Sequence, residues 1–352
     1  MRDILKKLAR GETLSQSAAR SAMEALIGGE AHDVEIAAFF GLLRGRGETH
    51  EEIAGFAQGL RAYARAVRAP EEAIDTAGTG GDGGRTYNVS TAAALVAAAA
   101  GVPVVKHGNR AVSGRSGSAD VLGALGVPTE LGPEAAEAVL AREGFVFLFA
   151  PLYHPALSRV QPVRRALGIP TVMNVLGPLV NPARVKRQVV GVADRRYQLA
   201  VARALQRVGV TRALVVSSAD GLDEISVSAP TRAVEIDGET LKTYDLTPEA
   251  LGLPLFPGGS YASGTPEDSA RVIEQMLTPT PDAGGAKMNA DYALLLANAA
   301  AALYVGGKAA SLRDGVRLAE ETIESGRVLD LLARLKRTAD GVGRSTVTAH
   351  DA

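Results

Sequence analysis

Short apolar runs that alternate with helical segments are the feature that most restricts the fold of this chain. The runs occupy residues 102–105, 144–149, 188–192 and 212–216. Strands separated by helices build a mostly parallel sheet with helices on both faces. In such sheets, ligands bind at the carboxyl ends of the strands. The sequence therefore predicts a large α/β domain over residues 70–340, with a mostly parallel central sheet and a site where its strands end.

Residues 1–69 precede this pattern and are predicted to be entirely helical. We expect helices over residues 15–27, 33–43 and 51–67. The third helix begins with a capping box, because Thr49 precedes it and Glu52 follows three residues later. A small all-helical N-terminal domain is therefore expected in front of the α/β domain. At the other end, residues 345–352 are expected to form a polar, frayed tail.

Composition narrows the class of protein. The chain has 352 residues, 46% of them hydrophobic and 22% charged, so it can bury a large core. A net charge of −1 gives no general attraction to nucleic acid or to an anionic membrane. The absence of cysteine excludes disulfides and cysteine-ligated metals. No segment resembles a signal peptide or a membrane span, so we expect no membrane partner and a cytoplasmic protein.

A glycine-rich run at residues 75–84, DTAGTGGDGG, indicates the kind of ligand. It is followed by Lys106-His107-Gly108-Asn109-Arg110. Glycines let backbone amides close on a phosphate, and the lysine and arginine supply countercharge. The run has neither the spacing of the dinucleotide fingerprint nor that of a P-loop. We therefore expect a phosphorylated substrate that is bound in another way.

Two further features fit an anion site. Residues 86–91 precede an alanine-rich helix expected over 92–100, and unpaired N–H groups at a helix N-terminus favour negative charge. Residues 84–118 and 145–192 contain no Asp or Glu but ten Lys and Arg. If these two stretches converge, they create a positive cleft for a multiply charged anion. An ordinary Ser/Thr cap and a chance charge distribution are the alternatives.

The densest acidic cluster of a predicted loop is Asp220-Gly221-Leu222-Asp223-Glu224. Adjacent carboxylates suit Mg²⁺, which takes few protein ligands and completes its shell with water and substrate phosphates. A solvated turn is the alternative. The five histidines lack zinc spacing. His107 lies within the glycine-and-lysine segment and is expected near the substrate, whereas His154 is expected to be structural or to lie at the rim.

These segments together resemble the anthranilate phosphoribosyltransferases. The resemblance extends over roughly residues 1–335, and the order of its motifs is more specific than any one of them. The motifs stand at residues 78–82, 88–91, 106–110, 116–120, 147–155, 164–168, 174–179 and 221–226. The resemblance implies a helical domain that mediates a homodimer, hinged to the α/β domain, with part of residues 163–183 packing on the helical domain and the active site in the cleft between the two domains.

The resemblance also implies which residues bind the substrates, phosphoribosyl pyrophosphate and anthranilate. The residues carried over to phosphoribosyl pyrophosphate are Gly78, Gly81, Asp82, Thr86, Asn88, Val89, Ser90, Thr91, Lys106, His107, Gly108, Asn109, Arg110, Ala111, Val112, Ser113, Gly114 and Ser118. Gly78, Asn109 and Arg164 would contact anthranilate, and a guanidinium can indeed grip a carboxylate with two hydrogen bonds. Ser90, Asp223 and Glu224 would bind Mg²⁺, as two ions bridging the pyrophosphate. Lys106 and His107 are the candidate catalytic residues.

The reaction implied is transfer of the 5-phosphoribosyl group to the amine of anthranilate, with release of pyrophosphate, in tryptophan biosynthesis. An aromatic amine is neutral at pH 7, so the transfer needs no strong base. Leu157 and Ser158 depart from the usual family pattern, as does Gly114-Arg115, where Arg115 keeps the charge. The segment 276–289 is expected to be looser than the corresponding family turn.

Three alternatives stay open at this point. The first is a pyrimidine nucleoside phosphorylase, whose phosphate loop differs from residues 106–110 and which would leave Asp223 and Glu224 without a metal. The second is transfer to another aromatic amine, because Arg164 requires only a carboxylate. The third is a non-catalytic nucleic-acid-binding relative, which should be basic and should lack the metal ligands.

Overall fold

One seven-stranded sheet organises the molecule in a computed structural model that describes residues 1–81, 83–111, 116–280 and 288–347. Its strands are β1 (Ile74–Gly78), β2 (Val104–Gly108), β3 (Phe145–Phe149), β4 (Arg187–Gly191), β5 (Arg212–Ser218), β6 (Thr231–Asp237) and β7 (Thr240–Leu246). They lie in the order β3-β2-β1-β4-β5-β6-β7. Strands β1 to β5 are parallel, and β6 and β7 are added antiparallel. The predicted mostly parallel sheet is confirmed.

The helices surround this sheet and precede it. In chain order they are α1 (Arg2–Ala9), α2 (Gln16–Ile27), α3 (Asp33–Arg46), α4 (His50–Ala62), α5 (Val89–Ala99), α6 (Ser118–Ala124), α7 (Pro133–Glu143), α8 (Ala150–Tyr153), α9 (Gln161–Leu167), α10 (Met173–Leu176), α11 (Gln198–Arg207), α12 (Pro248–Leu251), α13 (Pro266–Leu277), α14 (Ala290–Val305), α15 (Leu312–Glu324) and α16 (Arg327–Val347). Short 3₁₀ turns occupy Pro155–Arg159, Gly177–Val180 and Arg195–Tyr197. No helix among the described residues is long and apolar enough to cross a membrane.

The N-terminal helices confirm the predicted helical domain. The capping box of α4 forms as expected: Glu52 N donates to Thr49 Oγ1 at 3.2 Å, and Thr49 N donates to Glu52 Oε2 at 2.9 Å. However, α4 ends at Ala62 rather than at residue 67, and α1 was not predicted. The final helix reaches Val347, so residues 345–347 are helical rather than a tail, and residues 348–352 lie outside the described part of the chain.

Two hydrophobic cores fill the molecule. The first packs α5 and α14, both rich in buried alanine and leucine, against the sheet. The second contains side chains of α2, α3 and α4, of residues 160–180 and of one face of β4 to β6. Arg61 of α4 joins this helix to the rest of the second core, because its buried guanidinium donates to Leu179 O at 2.7 Å and to Val208 O at 2.8 Å. The division into domains at residues 69 and 70 stays a prediction.

The strand order reverses at β1, and this reversal positions the site. The chain adds β2 and β3 on one side of β1 and then β4 and β5 on the other side. The connections after β1 and β4 therefore turn away from each other, which opens a crevice at the ends of these strands. Gly78, the last residue of β1, is the register partner of Gly191, the last residue of β4. The loops after β1, β2, β4 and β5 all start at this edge.

Candidate active site

The glycine-rich segment leaves β1 directly at this crevice. Gly80 and Gly81 have φ angles of 66° and 96°, and Gly83 and Gly84 have φ angles of 83° and 65°, a region that glycine adopts without strain. The segment therefore requires glycine at these four positions to turn as it does. The predicted ligand Asp82 lies outside the described residues.

Helix α5 points its N-terminus at the same crevice. Asn88 precedes it with a φ of 69°, and Thr91 Oγ1 donates to Asn88 Oδ1 at 2.6 Å. The side chain of Asn88 also donates to Ser116 O at 3.3 Å. Val89, Ser90 and Thr91 form the first turn. The first N–H groups of a helix favour an anion, although Thr91 N already donates to Asn88 O at 3.0 Å. Thr86 is half-buried in the loop just before this helix.

Lys106 brings a buried positive charge between β1 and α5. Its side chain is almost fully buried, and Nζ donates to Thr76 O at 2.5 Å and to Ser90 Oγ at 3.4 Å. Burial lowers the pKa of Lys106, while the nearby carboxylates of Asp75 and Glu224 raise it. Lys106 is thus held within reach of the first turn of α5.

The acidic pair follows β5 and folds back onto the glycine-rich segment. Asp223 is 7% exposed, and its Oδ2 accepts a hydrogen bond from Gly80 N at 2.9 Å. Glu224 and Ser90 line one small cavity of about 10 Å³ together with Thr76. The structure therefore brings Ser90 and Glu224 to one cavity, and Asp223 precedes Glu224 directly in the chain. Their oxygen donors fit a hard divalent cation, although no three His, Asp or Glu side chains cluster as a metal cage within the described ranges.

Two buried histidines lie in contact behind the site. The rings of His107 and His154 meet edge to face, with centroids 5.2 Å apart. Burial lowers the pKa of His107 to about 3 and that of His154 to about 4, so both are neutral at pH 7. His154 Nε2 bonds to Val180 O at 2.9 Å, and its burial favours the structural alternative over the rim. His107 Nε2 is buried with no hydrogen-bond partner among the described residues.

Asp75 and Asn181 support this region and were missed by the sequence analysis. Asp75 is fully buried in β1. Its carboxylate accepts from Asn181 Nδ2 at 2.8 Å and from His107 N at 3.3 Å. Burial raises the pKa of Asp75 to about 6, despite the nearby Lys106. An aspartate next to the buried Ile74 was the available signal, but its partner is more than one hundred residues away.

The segment after β2 forms a separate part of the site. Ser118 Oγ donates to Asn109 O at 3.5 Å, and Asp120 Oδ2 accepts from Ala111 N at 2.9 Å. Gly108 lies so close to Ser118 that a Cβ atom would overlap its hydroxyl. Val112, Ser113 and Gly114 lie outside the described residues, as do Arg115 and residues 281–287 of the segment expected to be loose.

Arg110 and Arg164, the two arginines expected to contact the substrates, lie in different surroundings. Arg110 pairs with Glu130 at 2.9 Å and lies over the ring of Phe149. Arg164 is half-buried on α9, and burial lowers its pKa. No hydrogen bond or ion pair joins its guanidinium to a described residue, and burial is the only cause of its lowered pKa. A half-buried guanidinium without an acid partner is suited to binding a carboxylate.

The expectation that the two acid-free stretches converge is wrong for much of the second stretch. Lys186 and Arg187 stand at the amino end of β4, opposite the site, and Lys186 pairs with Glu71 at 2.6 Å. Arg159 pairs with Asp33 of α3 at 2.6 Å. Charge sign alone could not reveal this, because a parallel strand places the residues at its two ends on opposite edges of the sheet.

Most of the chain matches two domains of a known protein family. Residues 70–329 match the α/β domain of the glycosyl transferase family, and residues 2–64 match its helical bundle domain. The anthranilate phosphoribosyltransferase of Thermomicrobium roseum is 48% identical over 98% of both chains. That of Rubrobacter xylanophilus is 45% identical over 96% of this chain and 97% of its own.

Solved structures agree with these matches. The anthranilate phosphoribosyltransferase of Thermus thermophilus superposes with a TM-score of 0.88 at 42% identity, covering 96% of this chain and 99% of its own. The Saccharomyces cerevisiae enzyme in complex with PRPP and Mg gives a TM-score of 0.87 at 29% identity, covering 96% and 97%. The same yeast enzyme has also been solved in complex with 4-fluoroanthranilate.

Proposed function

This chain belongs to the anthranilate phosphoribosyltransferases of the glycosyl transferase family, and we propose how its crevice performs their reaction. The 5-phosphoribosyl group passes from phosphoribosyl pyrophosphate to the amine of anthranilate, and pyrophosphate leaves, in a step of tryptophan biosynthesis. One observation carries the assignment: the glycine-rich segment, the N-terminus of α5 and the acidic pair meet where β1 and β4 end.

Phosphoribosyl pyrophosphate is held by backbone amides and one buried cation. We assign the pyrophosphate to the amides of Gly81 and Ser90, and Lys106 supplies a fixed positive charge beside them. Because these groups are already in place before reaction, they stabilise the charge that develops on the leaving group without reorganising. From the segment after β2, we assign the remaining phosphate to the described residues Asn109 and Ser118.

Ser90, Asp223 and Glu224 would hold Mg²⁺. When bound, the metal neutralises negative charge on the pyrophosphate as its bond to ribose breaks. The oxygen donors fit, and Asp223 is fixed by Gly80 N. Mg²⁺ in the yeast relative supports the choice of metal. Two ions bridging the pyrophosphate remain our proposal, and calorimetric titration of Mg²⁺ tests the number.

Anthranilate binds through its carboxylate to Arg164, which leaves the amine free to attack C1 of the ribose. C1 becomes oxocarbenium-like as its bond to pyrophosphate breaks. The amine nitrogen bonds to C1 from the opposite face and then releases one N–H proton to solvent. The amine is neutral at pH 7 and needs no strong base. His107, whose burial lowers its pKa to about 3, is a weak proton acceptor and is suited to accepting or donating a hydrogen bond instead.

Product analysis tests this function. Enzyme, phosphoribosyl pyrophosphate and Mg²⁺ are incubated with anthranilate, with 4-aminobenzoate or with aniline, and the products are identified by mass spectrometry. We expect pyrophosphate and N-(5-phosphoribosyl)anthranilate, with far less product from 4-aminobenzoate and aniline. Equal products from all three amines would contradict recognition of the carboxylate by Arg164. Product from 4-aminobenzoate only would assign the enzyme to another aromatic amine.

The family resemblance also motivates a proposal on the assembly. We propose that two copies pair through the helical domain, where Val34 of α3 is 80% exposed. Analytical ultracentrifugation of the wild type and of Val34→Asp tests this pairing. A cytoplasmic location also stays a prediction from the sequence.

A further inference from the structure

One amide side chain lies inside an otherwise apolar helix beside the acidic pair. The buried residues of α14 are alanine, leucine, valine and tyrosine, apart from Asn298. Asn298 is 3% exposed. A polar group buried this deeply requires hydrogen-bond partners, so the partners of Asn298 indicate why an amide stands there.

Asn298 bonds to both backbone groups of the residue that follows Glu224. Ile225 N donates to Asn298 Oδ1 at 2.9 Å, and Asn298 Nδ2 donates to Ile225 O at 3.0 Å and to Leu294 O at 2.9 Å. This two-bond pairing is the one that a neighbouring strand would make, but it is supplied here by a side chain. It fixes the backbone on the C-terminal side of Glu224.

The opposite side of the acidic pair is fixed independently. Asp223 is held through its carboxylate by Gly80 N, and its backbone lies against Gly191. Asp223 is therefore fixed on one side and Ile225, the residue bonded to Asn298, on the other. Only Glu224 lies between them. The short distance between anchors restricts the directions in which the Glu224 side chain can leave the backbone.

The side chains of Asn298 and Glu224 line the same cavity as Ser90 and Thr76. We propose that Asn298 is a positioning residue that directs the Glu224 carboxylate toward Ser90 and thereby sets how strongly Mg²⁺ tightens binding of phosphoribosyl pyrophosphate. This inference rests on the proposed function, because it assumes that Glu224 and Ser90 bind the metal.

The chain offers a matched control. Gln198 of α11 is also a buried amide, 2% exposed. It donates to Val215 O at 2.9 Å and to Arg232 O at 2.8 Å. It therefore supports the backbone of β5 and β6 as Asn298 supports Ile225, but it does not line the cavity that contains Glu224. Loss of either amide should affect stability, whereas only loss of Asn298 should affect the metal response.

The experiment measures binding rather than turnover. The dissociation constant of phosphoribosyl pyrophosphate is determined by calorimetry without Mg²⁺ and at saturating Mg²⁺, and the ratio of the two values is the metal response. It is measured for the wild type, Asn298→Leu, Asn298→Ser, Gln198→Leu and Glu224→Gln. Circular dichroism and thermal unfolding identify the folded variants, and Asn298→Ser serves if the leucine variant does not fold.

We expect the metal response to fall at least fivefold in the Asn298 variants and to remain at the wild-type value in Gln198→Leu. A wild-type response in a folded Asn298 variant overturns the inference. An equal loss in Gln198→Leu also overturns it, since general destabilisation would then explain both. If Glu224→Gln responds like the wild type, the proposed metal site itself fails, and this result is distinguishable because it does not depend on Asn298.

Discussion

Gly191 ends β4 directly against Asp223, so close that a Cβ atom on Gly191 would overlap the backbone oxygen of Asp223. Its register partner Gly78 stands against the Asp223 carboxylate in the same way. The two glycines that end neighbouring strands therefore leave the space in which the acidic loop lies. The position of the proposed metal ligands depends on the absence of two side chains.

Replacing Gly191 with alanine should displace Asp223. The new methyl group meets backbone, which cannot move aside as a flexible side chain can, and such overpacking costs about 1–3 kcal/mol. We expect the free energy of unfolding in urea to fall by that amount. We also expect a rise in the Mg²⁺ concentration that gives half-maximal turnover. Gly45→Ala is the control, because nothing lies within 4 Å of its added carbon. Equal behaviour of the two variants would contradict the account.

Removing the acidic pair should remove the metal response of the enzyme. The double variant Asp223→Asn, Glu224→Gln keeps the side-chain shapes but loses the charges that attract Mg²⁺. We expect turnover at any Mg²⁺ concentration to fall at least 100-fold, which corresponds to about 3 kcal/mol of transition-state stabilisation. Circular dichroism should remain that of the wild type. Full Mg²⁺-dependent turnover in the double variant would remove the metal assignment.

Replacing Arg164 should weaken anthranilate binding selectively. Hydrogen bonds to a charged group contribute about 1.5–3 kcal/mol, so Arg164→Ala should raise the KM for anthranilate about 10- to 100-fold and change that for phosphoribosyl pyrophosphate little. Arg164→Lys should recover only part of the loss, because an ammonium lacks the planar fork. Arg165→Ala, which removes the exposed neighbouring charge, should behave as wild type. An equal effect of Arg164→Ala on both KM values would contradict this role.

The buried histidines should make the fold sensitive to mild acid. Burial lowers the pKa of His107 and His154 to about 3 and 4, so the unfolded chain binds more protons than the folded one below about pH 6.5, and stability falls as the pH falls. Asp75 opposes this trend. Because burial raises its pKa to about 6, the folded state binds a proton there below about pH 6 that the unfolded chain does not yet bind, and this stabilises the fold as the pH falls. Histidine protonation outweighs it because two groups contribute.

His154→Gln tests this pH dependence. Glutamine can still donate to Val180 O but does not titrate, so the variant should lose about 1–2 kcal/mol less unfolding free energy than the wild type between pH 7 and pH 5. Urea unfolding at both pH values measures the difference. Parallel pH profiles for the two proteins would show that His154 is not the group being protonated.

The parts of the fold that the sequence predicted are those with local signals. The parallel sheet, the capping box of α4 and the glycine-dependent turn after β1 follow from patterns within a few residues. By contrast, β1 was taken as part of the glycine-rich run because Ile74 is its only bulky apolar residue. The edge strand β7 is largely exposed, so it carries no apolar run that predicts it.

The supporting residues of the site could not be predicted in the same way. Asp75 meets Asn181 and Asn298 meets Ile225 only after the sheet and helices have assembled. A lone polar residue in an apolar segment signals that a partner exists but not which one. Arg110 and Lys186 illustrate the same limit for charge, since folding gave both an acidic partner.

Anthranilate fluorescence tests the central claim most directly, because joining the amine to ribose changes the emission. Anthranilate and enzyme are followed alone, with Mg²⁺, with phosphoribosyl pyrophosphate, and with both. We predict that the fluorescence falls only when the sugar and the metal are present together. Unchanged fluorescence in that mixture, with phosphoribosyl pyrophosphate binding intact by calorimetry, would contradict anthranilate as the acceptor.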